Sequence, residues 1–183
     1  MITVVERGSV ELFRSMSEFA RGELIEALDG VSEGKAWAVL PPAGEEYLHS
    51  DGSIHGITLH IAVCEVMYGS AAFRGTEIRW RDLEARVAGF EPSWKAAREY
   101  LDEAHQYWLA SWAELNDNDL DREVPHFSGE VRPAWQIIRM MTHHDSYHAG
   151  QIAVLRYAVG ESDTPPPSVA LDIRTHCAAL PGW

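Results

Sequence analysis

The sequence predicts an all-α protein built as a four-helix bundle, and three observations carry that prediction. Apolar residues recur at helical spacing through four long segments. Hardly any stretch shows the period-two alternation of a half-buried strand. Between the segments lie clusters of Gly, Pro, Asn and Asp that interrupt regular structure.

The first helix is expected over 9–28, with Ser9 as its N-cap. Leu12, Phe13, Met16, Phe19, Ala20, Leu24, Ala27 and Leu28 form the stripe that should face the core, and Asp29-Gly30 ends it. Residues 31–38 predict a short helical turn, and Leu40-Pro41-Pro42-Ala43-Gly44 makes 39–50 a loop. Asp51 or Ser53 caps a second helix that runs to about Phe73. Ile57, His60, Ile61, Cys64, Met67 and Tyr68 share its inward face. Gly56 sits one turn before His60, where glycine costs about 1 kcal/mol relative to alanine, so it marks the close approach of a neighbour.

Residues 74–92 read as a long connection with a helical turn around 80–87. Ser93 caps a third helix that reaches Leu115, with Trp94, Ala97, Leu101, Ala104, Trp108, Ser111, Trp112 and Leu115 inside. Residues 116–129 read as a loop. The fourth helix spans 133–159 and stops at Gly160. Its residues Ala134, Ile137, Met141, His144, His148, Gln151, Leu155 and Ala158 step by three and four, the spacing of one buried seam. Asp163-Thr164-Pro165-Pro166-Pro167 then bars further helix. The chain thus divides into a bundle, 1–160, and a C-terminal extension, 161–183, packed on it or loosely attached, with a short helix near 170–178.

At 183 residues, 46% apolar and 23% charged, the chain has an ordinary globular composition and length for one sizeable core. Its net charge of −13 is spread along the sequence and repels phosphate backbones and anionic lipid, which argues against nucleic acid and membrane surfaces as partners. No apolar run approaches the roughly 20 residues of a membrane span. Glu6 and Arg7 interrupt the N-terminus where a signal peptide keeps an apolar core. Two cysteines, Cys64 and Cys177, are no disulfide framework. The expectation is a cytoplasmic protein that acts on a small molecule.

Nine histidines are present, and spacing chooses among them. His144 and His148 lie one turn apart on the buried seam, with Cβ atoms roughly 5–6 Å apart. One histidine on an apolar face is more often a hydrogen-bonded core residue; two that face each other each need a polar partner, and a shared cation satisfies both. His60, inward on another helix, is the best third ligand, since bundles build metal sites between helices. Three neutral imidazoles leave a divalent ion with an open position, the pattern of a catalytic rather than a structural site.

Cys64, one turn beyond His60, could approach the ion but reads better as a small buried filler. His143 points to a neighbour or to solvent. His49 and His55 flank the start of the second helix, where either could line a site mouth but a surface loop fits better, and His105, His126 and His176 read as structural. Asp145 and Gln151 are candidates to orient the ligands, although Asp145 and Tyr147 also read as helix surface. His144-Asp145-Ser146-Tyr147-His148 is similar to the H-E-x-x-H of zinc proteases, but aspartate is one methylene short of their glutamate base, and Gly150 comes too early for the elongated motif. No pair of E-x-x-H motifs supports ferritin-like di-iron chemistry.

Two stretches carry a family resemblance: Ser53-Ile54-His55-Gly56-Ile57-Thr58-Leu59-His60-Ile61-Ala62, and His144-Asp145-Ser146-Tyr147-His148-Ala149-Gly150-Gln151-Ile152. The stretch from His144 to Ile152 resembles the H-x-x-x-H-x-G-Q-I signature of the DinB-like (DinB/YfiT) superfamily, and helix order agrees over 9–160. The resemblance implies up-down-down-up topology and a divalent metal, zinc or nickel, held by His60, His144 and His148. It also implies a frequent homodimer. Family members of known activity transfer or isomerise with the thiols bacillithiol or mycothiol, so a low-molecular-weight thiol is the expected co-substrate. The tail after Gly160 matches no family feature.

The leading functional expectation is therefore a metal-dependent transferase of a small thiol to an electrophile. A metal-dependent hydrolase and a non-catalytic metal- or ligand-binding bundle are the alternatives. Gly150 falls about 200° round the helix from His148, away from the metal, and predicts a close helix approach there, by the tail or by a second subunit.

Overall fold

A computed structural model describes residues 8–39, 50–75, 93–126 and 128–160. The order is α1 (Ser9–Leu28), α2 (Glu33–Trp37), α3 (Ile54–Gly69), α4 (Trp94–Ser111), β1 (Glu123–Pro125), β2 (Val131–Pro133) and α5 (Ala134–Val159). A π-turn, Ser70–Arg74, extends α3 and closes on the left-handed Gly75, φ +63°. The predicted turn at 80–87, the tail 161–183 with its helix at 170–178, His49 and His176 lie outside the described residues.

Contacts between helices give their directions. Ser17 meets Thr142 at 2.9 Å, Glu23 meets Ser146 at 2.9 Å, and Arg156 donates to the carbonyls of Glu26 and Ala27, so α1 and α5 run parallel. Arg14 donates to the Ala113 carbonyl, Arg21 pairs with Asp102 and Arg98 donates to the Leu28 carbonyl, so α4 runs against α1. Glu65 on α3 bonds His105 at 2.7 Å, and Gly69 faces Tyr107 and Ser111, so α3 and α4 are parallel. The bundle is up-down-down-up.

Each helix has a local cause. Ser53 Oγ accepts from the Gly56 amide at 2.9 Å and Ser93 Oγ from Ala96 at 3.2 Å, satisfying first-turn donors that the helix leaves open. The expected cap of α1 differs. Helix α1 starts at Ser9 with no side-chain cap of its own. Asp117, from a short turn after α4, reaches across to accept from Ser9 at 3.0 Å and Val10 at 2.9 Å. The predicted stripe of α1 is also rotated. Leu12, Met16 and Phe19 are exposed, while Val10, Ser17, Ala20, Arg21, Leu24, Ala27 and Leu28 are buried. The contacts to Thr142 and Asp102 turn the Ser17–Arg21 edge inward.

Helix α3 is the core helix, with every residue buried except Val66. With its π-turn it is apolar and long enough to cross a membrane, but 83% of that stretch is covered by its own bundle. The expected loop at 116–129 contains instead β1, which pairs antiparallel with β2, Val124 opposite Arg132. Three-residue strands are too short to show a period.

The apolar core is split in two along the bundle axis. One cluster holds Leu28, Ile57, Ile61, Leu101 and Ile152; the other holds Tyr68, Trp108, Trp112, Ile137 and Met141. Between them Ser17 and Arg21 of α1, His60 and Glu65 of α3, His105 of α4, and Thr142, Asp145 and His148 of α5 are all buried.

The borrowed cap of α1 is testable. Two backbone N–H bonds hold the Asp117 carboxyl below its usual range, so its contribution is present above the unfolded carboxyl pKa and is lost as pH falls through the folded one. Asp117→Ala is expected to lower the melting temperature at pH 7. The gap from wild type should close in strong acid, and equal melting at pH 7 would contradict the assignment.

Candidate metal centre

His144 and His148, one turn apart on α5, meet His60 from α3. His60 Nε2 lies 3.1 Å from His144 Nε2, and His148 Nε2 lies 3.2 Å from the same atom. One donor atom from each histidine falls within 4.8 Å of the others. A tetrahedral ion with nitrogen bonds of about 2.0–2.1 Å sets its ligand nitrogens roughly 3.3 Å apart. The donor chemistry agrees with the distances. An imidazole nitrogen is either one donor or one acceptor, so three nitrogens pointed at a common centre cannot all satisfy one another, whereas a cation takes all three lone pairs.

The tautomer is set from behind. His148 Nδ1 donates to Gln151 Oε1 at 2.6 Å, which leaves Nε2 with its lone pair toward the triad. Gln151 Nε2 in turn donates to the Tyr147 hydroxyl at 3.0 Å. Both Gln151 and the half-exposed Tyr147 therefore support the site from the helix that carries two of its histidines. Cys64 Sγ approaches His60 Nε2 at 3.7 Å but does not join the set of donors within 4.8 Å of one another. Its buried position suits a small apolar filler.

The other histidines divide as follows. His143 is exposed on the rim. His55 is not on a surface loop but buried, stacked on Trp37 with ring centroids 3.7 Å apart, because α3 begins one residue before it and carries it into the core. His126 packs on Tyr68, its Nε2 3.3 Å from the hydroxyl. Gly150 faces open space among the described residues, so no described element makes the close approach expected of it.

A cavity of about 270 Å³ opens beside the triad. His143, His144, Tyr147 and His148 line it together with Gln136, Arg139, Met140 and Met141 earlier on α5, Arg132 of β2 and Tyr68 of α3. No Asp or Glu lines it among the described residues. Burial pushes the Tyr68 hydroxyl pKa well up, so it stays a neutral donor.

On α5 the predicted seam residues Ala134, Ile137, Met141, His148 and Leu155 are buried, and the rest depart from the prediction. Asp145 is 2% exposed at the centre of the seam, where the sequence predicts helix surface, while His144 and Gln151 sit half-buried at its edge and Ala158 is exposed. Asp145 lies in a buried polar group with Glu65, His105 and Arg21, its Oδ1 3.7 Å from His144 Nδ1. Glu65, His105 and Asp145 also hold donor atoms within 4.8 Å of one another, but the Arg21 guanidinium acts on all three and already supplies positive charge there. Sequence reasoning missed this group. Its signal was Glu65, a carboxylate in a helix with no polar face.

Burial sets the protonation of the group. It raises Glu65 well above the usual carboxylate range, with the Asp145 charge adding to the shift, and it raises Asp145 to about 7. It lowers His105 to about 4, with Arg21 adding to the effect. Burial therefore favours the neutral pair, in which Glu65 keeps its proton and donates to a neutral His105.

A raised carboxyl contributes stability that is complete below its unfolded pKa of about 4.5 and is lost as pH rises through the folded value. Glu65→Gln keeps a donor toward His105 and has nothing to ionise. Its melting temperature should gain on wild type as pH rises, by about 2–4 °C at pH 8 for each 1 kcal/mol removed. A gap that does not change between pH 5 and pH 8 would refute the protonated state.

Comparison with curated proteins finds no match. A sequence profile of the DinB superfamily matches residues 16–152, a span that includes all three histidines, Gln151 and most of each of the four long helices. With most of its length inside that match, the chain belongs to the DinB superfamily.

Proposed function

We propose that the protein is a metal-dependent enzyme that binds one divalent ion, zinc or nickel, at His60, His144 and His148 and transfers a low-molecular-weight thiol to an electrophilic small molecule. The observation that carries the metal reading is the convergence of three Nε2 atoms, with neighbouring pairs 3.1 and 3.2 Å apart, beside a cavity. Bound there, a divalent ion supplies the Lewis acidity that makes a thiol a thiolate near neutral pH.

The chain's own residues set the rest. Gln151 holds His148 in the tautomer that offers Nε2. Met140, Met141 and Tyr147 give the reacting partners an apolar wall that limits water. In the transfer, the sulfur–hydrogen bond breaks, the proton leaves to solvent through the open mouth, a sulfur–carbon bond forms, and the leaving group takes its electron pair.

The cavity lining favours thiol transfer over hydrolysis. A hydrolytic site of the H-E-x-x-H kind places a carboxylate beside the ion as general base. The nearest candidate in sequence, Asp145, is buried toward Arg21 and His105 and is absent from the cavity wall.

Elemental analysis of the purified protein should find one equivalent of divalent metal, lost in His144→Ala. Gln151→Leu should keep the fold and weaken metal affinity about 10- to 100-fold. Thiol transfer, assayed with bacillithiol or mycothiol and a panel of electrophiles, should vanish on chelation and return with added ion. Full activity in metal-free protein would overturn the mechanism.

A further inference from the structure

The cavity beside the triad has a charge opposite to that of the whole protein. The chain carries 28 acidic and 15 basic residues, yet the cavity is lined by Arg132 and Arg139 and, among the described residues, by no carboxylate. We infer that the cavity selects an elongated amphipathic ligand, with a metal-binding head at His144 and His148 and an anionic group about 10–12 Å away, between Arg132 and Arg139. This rests on the triad's being a metal site, as proposed above.

The distance follows from the helix. Arg139 precedes His144 by five residues on α5, a rise of about 7.5 Å. Its guanidinium reaches back to the Trp135 ring, at a position about 13 Å before His144, so its charge lies roughly 10–12 Å away. Met140 and Met141 lie between these ends, so the middle of the ligand meets apolar surface while its ends meet charge.

Both arginines are available for an anion. Arg139 makes no ion pair among the described residues, and its guanidinium lies 5.3 Å from the Trp135 ring centroid. Stacking of this kind orients the planar fork without using its donors. Arg132 meets Glu130 at 3.1 Å, but the Glu130 side chain is 65% exposed. Exposed pairs of this kind are weak and exchange readily. Gln136 adds a neutral amide to the same lining.

The test compares mercaptooctanoate, its methyl ester and the shorter mercaptopropionate by calorimetry on zinc-loaded and metal-stripped protein. Mercaptooctanoate should bind about fivefold more tightly than its ester, the effect of a partly exposed ion pair. The double variant Arg132→Gln, Arg139→Gln should remove that preference while leaving ester affinity and metal content unchanged. Mercaptopropionate, too short to span, should bind the variant and wild type alike.

Equal affinity for acid and ester in zinc-loaded wild type would overturn this inference and leave the metal reading standing. Should the protein bind no metal, an acid-over-ester preference that persists in stripped protein and disappears in the double variant would uphold the arginine end while the metal reading fails. Absence of that preference in stripped protein would end both.

Discussion

The rest of the structure depends on a buried polar layer that cuts the bundle at mid-height. Every long helix contributes to it: Ser17 and Arg21, His60 and Glu65, His105, and Thr142, Asp145 and His148. Apolar clusters alone tolerate sliding of one helix along another, since oily surfaces repack at small cost. This layer does not. Moving α5 by one turn, about 5.4 Å, would separate Ser17 from Thr142 and His60 from His144 together. Each orphaned buried polar group would cost roughly 1–3 kcal/mol. The layer fixes helix register, and with it the approach of His60 to His144 and His148.

Adjacent residues of α5 serve the two sides of this arrangement. His144 is half-buried at the cavity, and Asp145, some 100° round the helix, points to the bundle centre. The Asp145 Oδ1 is 3.7 Å from His144 Nδ1, too far for a hydrogen bond, and as Asp145 ionises above about pH 7 its charge favours an N–H on that atom. Such an N–H leaves His144 Nε2 with its lone pair, as Gln151 does for His148. Charge on Asp145 thus does for one histidine what a neutral amide does for the other.

Much of this was legible in the sequence. The four long helices, the Ser53 and Ser93 caps and the three histidines follow from periodicity and from spacing within helices, which are local properties. What failed was the rotation of helix faces. Leu12, Met16 and Phe19 read as core because they are apolar, yet the inward edge of α1 is fixed by Ser17 and Arg21, whose partners lie on α4 and α5. Asp145 reads as surface for the mirrored reason. A hydrophobic pattern cannot place a buried polar residue, because its burial is compensated by partners far away in the chain. The hairpin β1–β2, the Asp117 cap and the arginines of the cavity are long-range features of the same kind.

The hairpin shows how such a feature enters the site. Its strand β2 ends at Pro133, whose fixed φ opens α5, and Arg122 and Leu120 carbonyls accept from Ala134 and Trp135 at the start of that helix. The start of α5 is therefore locked to the loop after α4 before the helix reaches its histidines. Arg132 on β2 and Arg139, little more than a turn into α5, consequently hold a fixed height above the triad. In a protein of net charge −13, two arginines in the lining that also holds His144 and His148 make the cavity chemically asymmetric, the feature on which the proposed ligand rests.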